Sequence, residues 1–471
     1  MTAGRPRLRV ETAARAAVLA FTVAAFFWIV ARTLAGSPRE RVLTVPDDGF
    51  YYLTLARNFA THGIWSFDSG VSRTNGFHLL HGYALATLFS AVHPSADRFV
   101  ALGIGLSWLA AVPAWIAGAV FAWRRRSWVP LLTFGVIAAS RNALLNSVSV
   151  MEWPYVVSLA ACYCGALWAS VDAPSRARVA AVAACAFAGS LARTDFGLLP
   201  GMLLVVAFGE WLLWRGADAQ RRFLVALIGT VSAAAGVGVA LIHGWVTSGI
   251  ALQSSARMKL LWMAFETPSW SQTRFKAQAL FGPPFSYPTT ALIALLVLAV
   301  ATAAIPWLRR LTRDRTEASA RWLWVSSVLT LLGYATFYRW DAAVQDWYTG
   351  NLLVPIFLVL TLPFAYGRTA AWLSAAASAV LLAMAVRQIV ELRALPNRPL
   401  WPWQVQMYDA GTYLAQDPPD GGVASWNAGI IGFYSGGHVV NLDGLVNGDI
   451  YEYAAHNRLP AYIDLRGKVE R

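Results

Sequence analysis

The sequence predicts an all-α polytopic membrane protein of about eleven transmembrane helices, with short helices on its outer face and a small C-terminal α/β element. Three observations carry this prediction. Hydrophobic residues make up 57% of the 471-residue chain, charged residues only 13%, and mean hydropathy is +0.49. A soluble chain carries about 25% charge, and so apolar a chain has too little polar surface to cover a water-soluble globule. Apolar runs long enough to cross a bilayer recur along the sequence, and Lys and Arg cluster in the short connectors between them, as cytoplasmic loops require. Soluble enzymes, disordered chains and disulfide-stapled scaffolds are excluded. The net charge of +13 is then a matter of membrane orientation rather than of nucleic acid. Only three of the 38 basic residues are Lys, which points to a GC-rich bacterial genome and hence to a bacterial inner (plasma) membrane.

The first apolar run, 14–35, follows Arg5, Arg7, Arg9 and Arg15 and lacks a small-residue cleavage site. It reads as an anchor with a cytoplasmic N-terminus. The other basic clusters are Arg124-Arg125-Arg126, Arg176/Arg178, Arg215/Arg221/Arg222, the run from Arg309 to Arg321, and Arg368. Placing them all in the cytoplasm gives spans near 14–35, 97–122, 128–140, 153–170, 179–192, 196–214, 223–243, 289–308, 322–338, 350–366 and 369–386. The C-terminus is then extracytoplasmic. Counting Gly76–Val92 as a twelfth span would reverse every later loop against the positive-inside pattern. It is therefore placed at the outer interface, where His78 and His81 suit a wet boundary. Cys162, Cys164 and Cys185 lie in apolar stretches and read as small packing residues. The chain divides into a transmembrane module, 1–386, and a tail, 387–471. The outer face holds three long elements: 36–96, 244–288 and 387–471. The tail reads as a helix near 403–415, a strand at 422–426, an Asn427-Ala428-Gly429 turn, and then HVVNLDGLVN.

Chemistry is expected on the outer face. Pro46-Asp47-Asp48 reads as a helix start, with carboxylates at the positive end of the helix dipole. An anonymous acid pair there is most often a cap. Beside a lipid-facing surface, one acid of such a pair can deprotonate a hydroxyl while the other orients it or holds a divalent cation (Mg, Mn or Ca). Other polar residues recur at outer span ends: Asn75, His78, Glu152, Arg193, Asp195, Arg257, Lys259, Asp346 and Tyr348. Each alone is more often a cap, a snorkelling anchor or a local ion pair. Together on one side, the acids can line an acceptor cavity, and Arg193, Arg257 and Lys259 can hold a phosphate.

The stretch PDDGFYYLTLARNFATHGIWSFDSGVSRTNGFHLLHGY resembles the first outer loop of GT-C-type membrane glycosyltransferases. These polyprenyl-phosphate-sugar-dependent enzymes include protein mannosyltransferases, the aminoarabinose transferases of lipid A and mycobacterial arabinofuranosyltransferases. The acid pair with its aromatic-Tyr start, Gly63 and TNGFH resemble the arabinofuranosyltransferase branch most. VMEWPYVV is similar to its Gly-Met-Glu or Leu-Glu signature, and LARTDFGLL, QSSARMK and DWY resemble segments at the same outer positions. HLLHGY departs from the usual Pro-Leu-Trp ending, and the tail after Gln388 is short for a carbohydrate-binding domain.

The resemblance implies an inverting transfer of a sugar from a polyprenyl-phosphate donor to a glycan, lipid or protein acceptor. It makes Asp47 the general base, and Asp48 the residue that orients the acceptor or helps bind a cation. Lys259 and Arg257, then Arg193, would hold the leaving phosphate; Asn75, His78, Glu152, Asp195, Asp346 and Tyr348 would line the acceptor pocket. No P-loop or Rossmann fingerprint is present, in keeping with a donor that needs no nucleotide. The rival readings are a lipid or glycan transporter or flippase without transferase activity, and a non-catalytic partner-binding protein. Against the first, the sequence shows neither repeated halves nor ionisable groups deep in the membrane.

Overall fold

The computed structural model describes residues 4–125, 127–264, 287–309, 315–338, 345–367, 369–394, 401–419, 423–436 and 439–469. Among them, eight helices are long and apolar enough to cross a membrane. They are Val10–Ala35, Ala96–Arg124, Trp153–Asp172, Thr194–Trp214, Ala217–Ser248, Thr290–Arg309, Asp346–Tyr366 and Ala371–Val390. Each has at least 20 residues, which at 1.5 Å per residue matches a hydrocarbon core of about 30 Å.

The other three expected spans are also helical, but fall outside that set. Trp128–Ala138 has 11 residues and Arg176–Ala192 has 17, both shorter than the eight. Arg176–Ala192 nonetheless runs from Arg178 at the basic end to Arg193 at the acid end. Trp128–Ala138 is wedged in the bundle, with Val129, Leu131, Phe134 and Ile137 buried. Arg315–Tyr338 has the length, with 24 residues, but carries Ser319, Ser326, Ser327 and Thr330 on its buried face. Those hydroxyls turn toward protein rather than lipid; Thr330 donates to the Ser326 carbonyl at 2.8 Å. The Gly76–Val92 segment forms a 14-residue helix, Leu79–Val92, whose rise of about 21 Å is too short to span. It packs along the helix Asp47–His62.

Described residues of the first four basic clusters gather at one end of the bundle. Arg15 donates to the carbonyls of Ala122, Trp123 and Arg125, which ties the basic start of the first helix to the end of Ala96–Arg124. Arg178 and Arg221 bond carbonyls at the end of Trp153–Asp172.

The long connectors meet at the opposite end. Arg39 pairs with Asp409 at 2.7 Å, Asn75 bonds the main chain at Ile250 and Ser254, and Arg466 pairs with Asp68. Residues 265–286, the second half of the expected 244–288 element, lie outside the described residues.

The tail docks directly on this end. It runs helix Gln404–Gln416, strand Val423–Ser425, helix Gly429–Tyr434, strand Val439–Asn441, then helices Tyr451–Ala455 and Leu459–Val469. The two strands pair in parallel, Val423 opposite Val439, and the short helix between them makes the crossover that parallel pairing demands. Phe433 from that helix packs against Phe50 at 5.6 Å between ring centroids. The tail therefore shares a core with the Asp47–His62 helix.

Candidate active site

The site is organised by the two faces of the helix Asp47–His62. Residues four apart share a face of a helix, whereas adjacent residues point about 100° apart. Asp47 and Tyr51 face the tail. Asp47 Oδ1 and Oδ2 accept the main-chain N–H groups of Ile430 and Gly429 at 2.7 and 3.1 Å, and its own N–H donates to Gln404 Oε1 at 2.9 Å. Gly429 lies so close that a Cβ there would overlap the Asp47 carbonyl. Tyr51 Oη donates to Asp443 Oδ2 at 2.6 Å and accepts from Ala428 N and Asn441 Nδ2, each at 2.9 Å.

Asp48, Tyr52 and Leu55 share the next face and line a cavity of about 60 Å³, with Tyr51 at its edge. His78, Glu152, Ser255, Lys259 and Tyr348 complete its polar lining, and Leu445 and Val446 bring the tail into its wall. That volume holds a few water molecules.

Beneath the cavity lies a buried ion network. Arg193 Nη1 donates to Glu152 Oε1 at 2.7 Å, and its Nε and Nη2 grip both oxygens of Asp195 at 2.9 and 3.0 Å. Asp195 also accepts from Asn351 Nδ2 at 2.9 Å. Tyr52 Oη donates to Glu152 Oε2 at 3.1 Å, and His78 Nε2 lies 3.8 Å from Glu152 Oε1. The ring of Tyr348 is contacted by two cations, Arg193 at 4.4 Å and Lys259 at 4.3 Å. Glu152 is 1% exposed and Arg193 5%, so these contacts act with little water to screen them.

Burial separates the acids. Asp48 is pushed up to about 7: loss of solvent is the main cause, Lys259 opposes it, and the charges of Asp443 and Glu152 add to it. Asp47 is also raised, chiefly by burial, against the pull of its two amide donors. Glu152 moves the other way. Burial raises it, but the charges of His78 and Arg193 outweigh that and hold it below the usual carboxylate range. At neutral pH, where His78 is uncharged, the Arg193 guanidinium is the cation that keeps it ionised. His78 is lowered to about 4, mainly by burial, and is neutral at pH 7. The cavity thus sets an acid that titrates near neutrality beside an acid held ionised.

Of the residues singled out from sequence, Asp48, His78, Glu152, Lys259 and Tyr348 meet at this cavity, with Arg193 and Asp195 behind it. The others do not line it. Asp47 holds the tail. Asn75 is a clip, donating to the carbonyls of Ile250 and Leu252 and accepting from Ser254 N and Oγ. Arg257 sits over Tyr451 at 3.9 Å and 3.4 Å from Glu452. Asp346 begins the short helix that carries Tyr348, where its carbonyl accepts from Thr349. Sequence reasoning passed over Tyr52 and Asp443. Tyr52 had a signal in helical spacing, four residues from Asp48, whereas Asp443 had none. Ser255, an outer-face polar residue of QSSARMK, lines the cavity.

A divalent cation held by the acid pair does not fit this geometry. Asp47 and Asp48 turn to different faces, and both Asp47 oxygens are occupied by amides. Among the described residues, no group of three or more His, Cys, Asp or Glu side chains is arranged to hold a metal ion.

Two solved structures share the fold. ArnT from Cupriavidus metallidurans bound to undecaprenyl phosphate superposes with a TM-score of 0.57 at 11% identity, over 96% of this chain and 90% of that one. The apo state of the same protein gives 0.54 at 12% identity, over 91% and 86%. At that identity the likeness shows the fold, which is the GT-C type expected from the sequence. Residues 400–470 match a family described as a domain of unknown function (DUF8728). No curated protein matches the chain.

Proposed function

We propose that this protein is an inverting glycosyltransferase that moves a sugar from a polyprenyl phosphate to an acceptor hydroxyl at the extracytoplasmic face. The observation that carries the proposal is the placement of the Asp48 carboxyl, poised near pH 7, in a small polar cavity shared with Lys259. A base whose pKa lies near the working pH is the efficient one. The shared fold with a protein that binds undecaprenyl phosphate supports a donor of that chemical class.

In this reading Asp48, rather than Asp47, accepts the proton of the acceptor hydroxyl. The acceptor oxygen forms a bond to the anomeric carbon from the face opposite the phosphate. The bond between that carbon and the phosphate oxygen breaks, and its electron pair leaves on the phosphate. Lys259 neutralises the departing charge. Arg193 acts from behind, keeping Glu152 ionised and the Tyr348 ring in place. Neutral His78 hydrogen-bonds the acceptor. Asp47 is a positioning residue, locking the tail against the catalytic helix. Because the cavity holds only a few waters, admission of a sugar requires it to widen.

The proposed orientation puts the N-terminus in the cytoplasm and the cavity and tail outside. The tail, 387–471, is a wall of the same module as 1–386 rather than a separate carbohydrate-binding unit. Motif resemblance makes arabinofuranosyl and mannosyl donors the first to assay. The test is transfer from synthetic polyprenyl-phosphate sugars by purified protein, with Asp48→Asn as the dead control. Vesicle transport of the donor without any transfer product would instead establish the flippase reading.

A further inference from the structure

The bundle contains a second cavity, far from the acids. Its volume is about 340 Å³, and it lies among Ala96–Arg124, Trp128–Ala138, Trp153–Asp172 and Gly350–Tyr366. Its walls are apolar, with Trp115, Phe134, Leu353 and Phe357 prominent, and the charged residues in its lining are Arg124 and Arg125. At the acid end of the same long helix, Gly103 sits against Leu53 and Val150. Gly103 to Arg124 is about 30 Å along the axis, so the arginines in this lining lie at the opposite end.

The rim is built for a boundary. The Arg125 guanidinium lies 4.9 Å from the Phe121 ring and 4.3 Å from that of Tyr366, and its Nε is buried with no hydrogen-bond partner. Tyr366 packs against Trp168 at 5.2 Å. Aromatic rings beside cations mark the level where hydrocarbon meets headgroup. Arg15, bonded to the carbonyls around Arg125, adds positive charge nearby. An acid near this rim, Asp172, accepts from Trp168 Nε1 at 2.7 Å. A side chain at Gly165, on the cavity wall, would meet only open space.

We propose that this cavity binds an anionic glycerophospholipid of the bilayer, with one hydrocarbon chain between Phe134 and Phe357 and its phosphate at Arg124 and Arg125. An apolar pocket of a few hundred Å³ with a few convergent polar groups is what a small amphiphile requires, and basic pockets between transmembrane helices bind anionic headgroups. Two lining cations favour a net negative headgroup over a zwitterionic one, whose ammonium they would repel. A donor whose phosphate meets Lys259 cannot also place that phosphate here, about 30 Å away. This is therefore a second lipid, and it does not depend on the chemistry assigned to Asp48.

The experiment is native mass spectrometry of the full-length protein, delipidated in detergent and offered phosphatidylglycerol, phosphatidylcholine of matched chains, or a polyprenyl phosphate. Two arginines near a headgroup imply a preference of about tenfold or more for phosphatidylglycerol over phosphatidylcholine. Arg124→Gln with Arg125→Gln should abolish the preference. Gly165→Leu, which fills the cavity and leaves the charges alone, should lower retention of phosphatidylglycerol. Equal retention of the two phospholipids by the unaltered protein, a comparison that needs no variant to fold, would overturn the proposal. Undiminished phosphatidylglycerol binding in both variants would do so as well. Displacement of phosphatidylglycerol by equimolar polyprenyl phosphate would assign the cavity to that lipid instead.

Discussion

Replacing Arg193 by Ala should destabilise the whole cavity end, because one guanidinium serves two carboxylates. It donates to Glu152 at 2.7 Å and grips Asp195 at 2.9 and 3.0 Å, and Glu152 is 1% exposed. Breaking a buried pair leaves an uncompensated charge and costs about 3–5 kcal/mol. Two dependent acids put this variant at the upper end of that range. Without the cation, burial pushes the Glu152 pKa up, so the variant can lessen its loss by taking up a proton. In the unaltered protein Glu152 is depressed, and its contribution is present at neutral pH and lost as pH falls through its folded pKa. The stability gap between the two proteins should therefore narrow as pH falls toward and through the ordinary carboxylate range. Glu152→Gln added to Arg193→Ala removes the orphaned charge and should recover part of the loss. The assay is denaturant unfolding in mixed micelles, followed by tryptophan fluorescence. A loss under about 1 kcal/mol, the value of an exposed pair, with no pH dependence, would refute a buried network.

Three further outcomes are expected. Turnover should rise with pH through about 7 as Asp48 loses its proton, and Asp443→Asn, which removes a charge that raises Asp48, should move that acid limb to lower pH; an unmoved limb excludes electrostatic coupling of the two acids. A Cβ at Gly76 would overlap the Leu445 carbonyl, so Gly76→Ala should loosen the tail and expose 439–447 to protease, whereas unchanged protection would show that the contact is dispensable. Single-cysteine labelling of intact cells should reach residues in 40–75 and miss Arg125→Cys, and the reverse pattern would invert the proposed orientation.

The membrane class and most helices were legible because apolar content and run length are properties of the chain alone. Three expected spans fall outside the set of long apolar helices because Trp128–Ala138 and Arg176–Ala192 are short and Arg315–Tyr338 carries a hydroxyl-bearing face, such as Ser326 and Thr330. Length and composition alone select that set. The position of the acid pair on the first connector was readable from its helix-start chemistry. Which acid faces the cavity was not, because that choice is made by Gly429 and Ile430, some 380 residues later, which claim Asp47. Tertiary partners explain the other residues that do not line the cavity. Asn75 is consumed by the 250–254 turn, and Arg257 is drawn to Tyr451 and Glu452 in the tail.

The central claim is that Asp48 is the base and Asp47 a structural lock, and paired Asn variants test it most directly. The carboxamide introduced by Asp48→Asn keeps size and polarity but cannot take the acceptor proton. That variant should lower turnover about a hundred- to ten-thousand-fold, with donor binding and unfolding midpoint unchanged. The carboxamide introduced by Asp47→Asn can still accept one amide N–H. It should cost stability at the tail, about 0.5–2 kcal/mol as for a lost cap, and only a minor share of turnover. Near-normal turnover in Asp48→Asn, together with a dead but stably folded Asp47→Asn, would contradict the account.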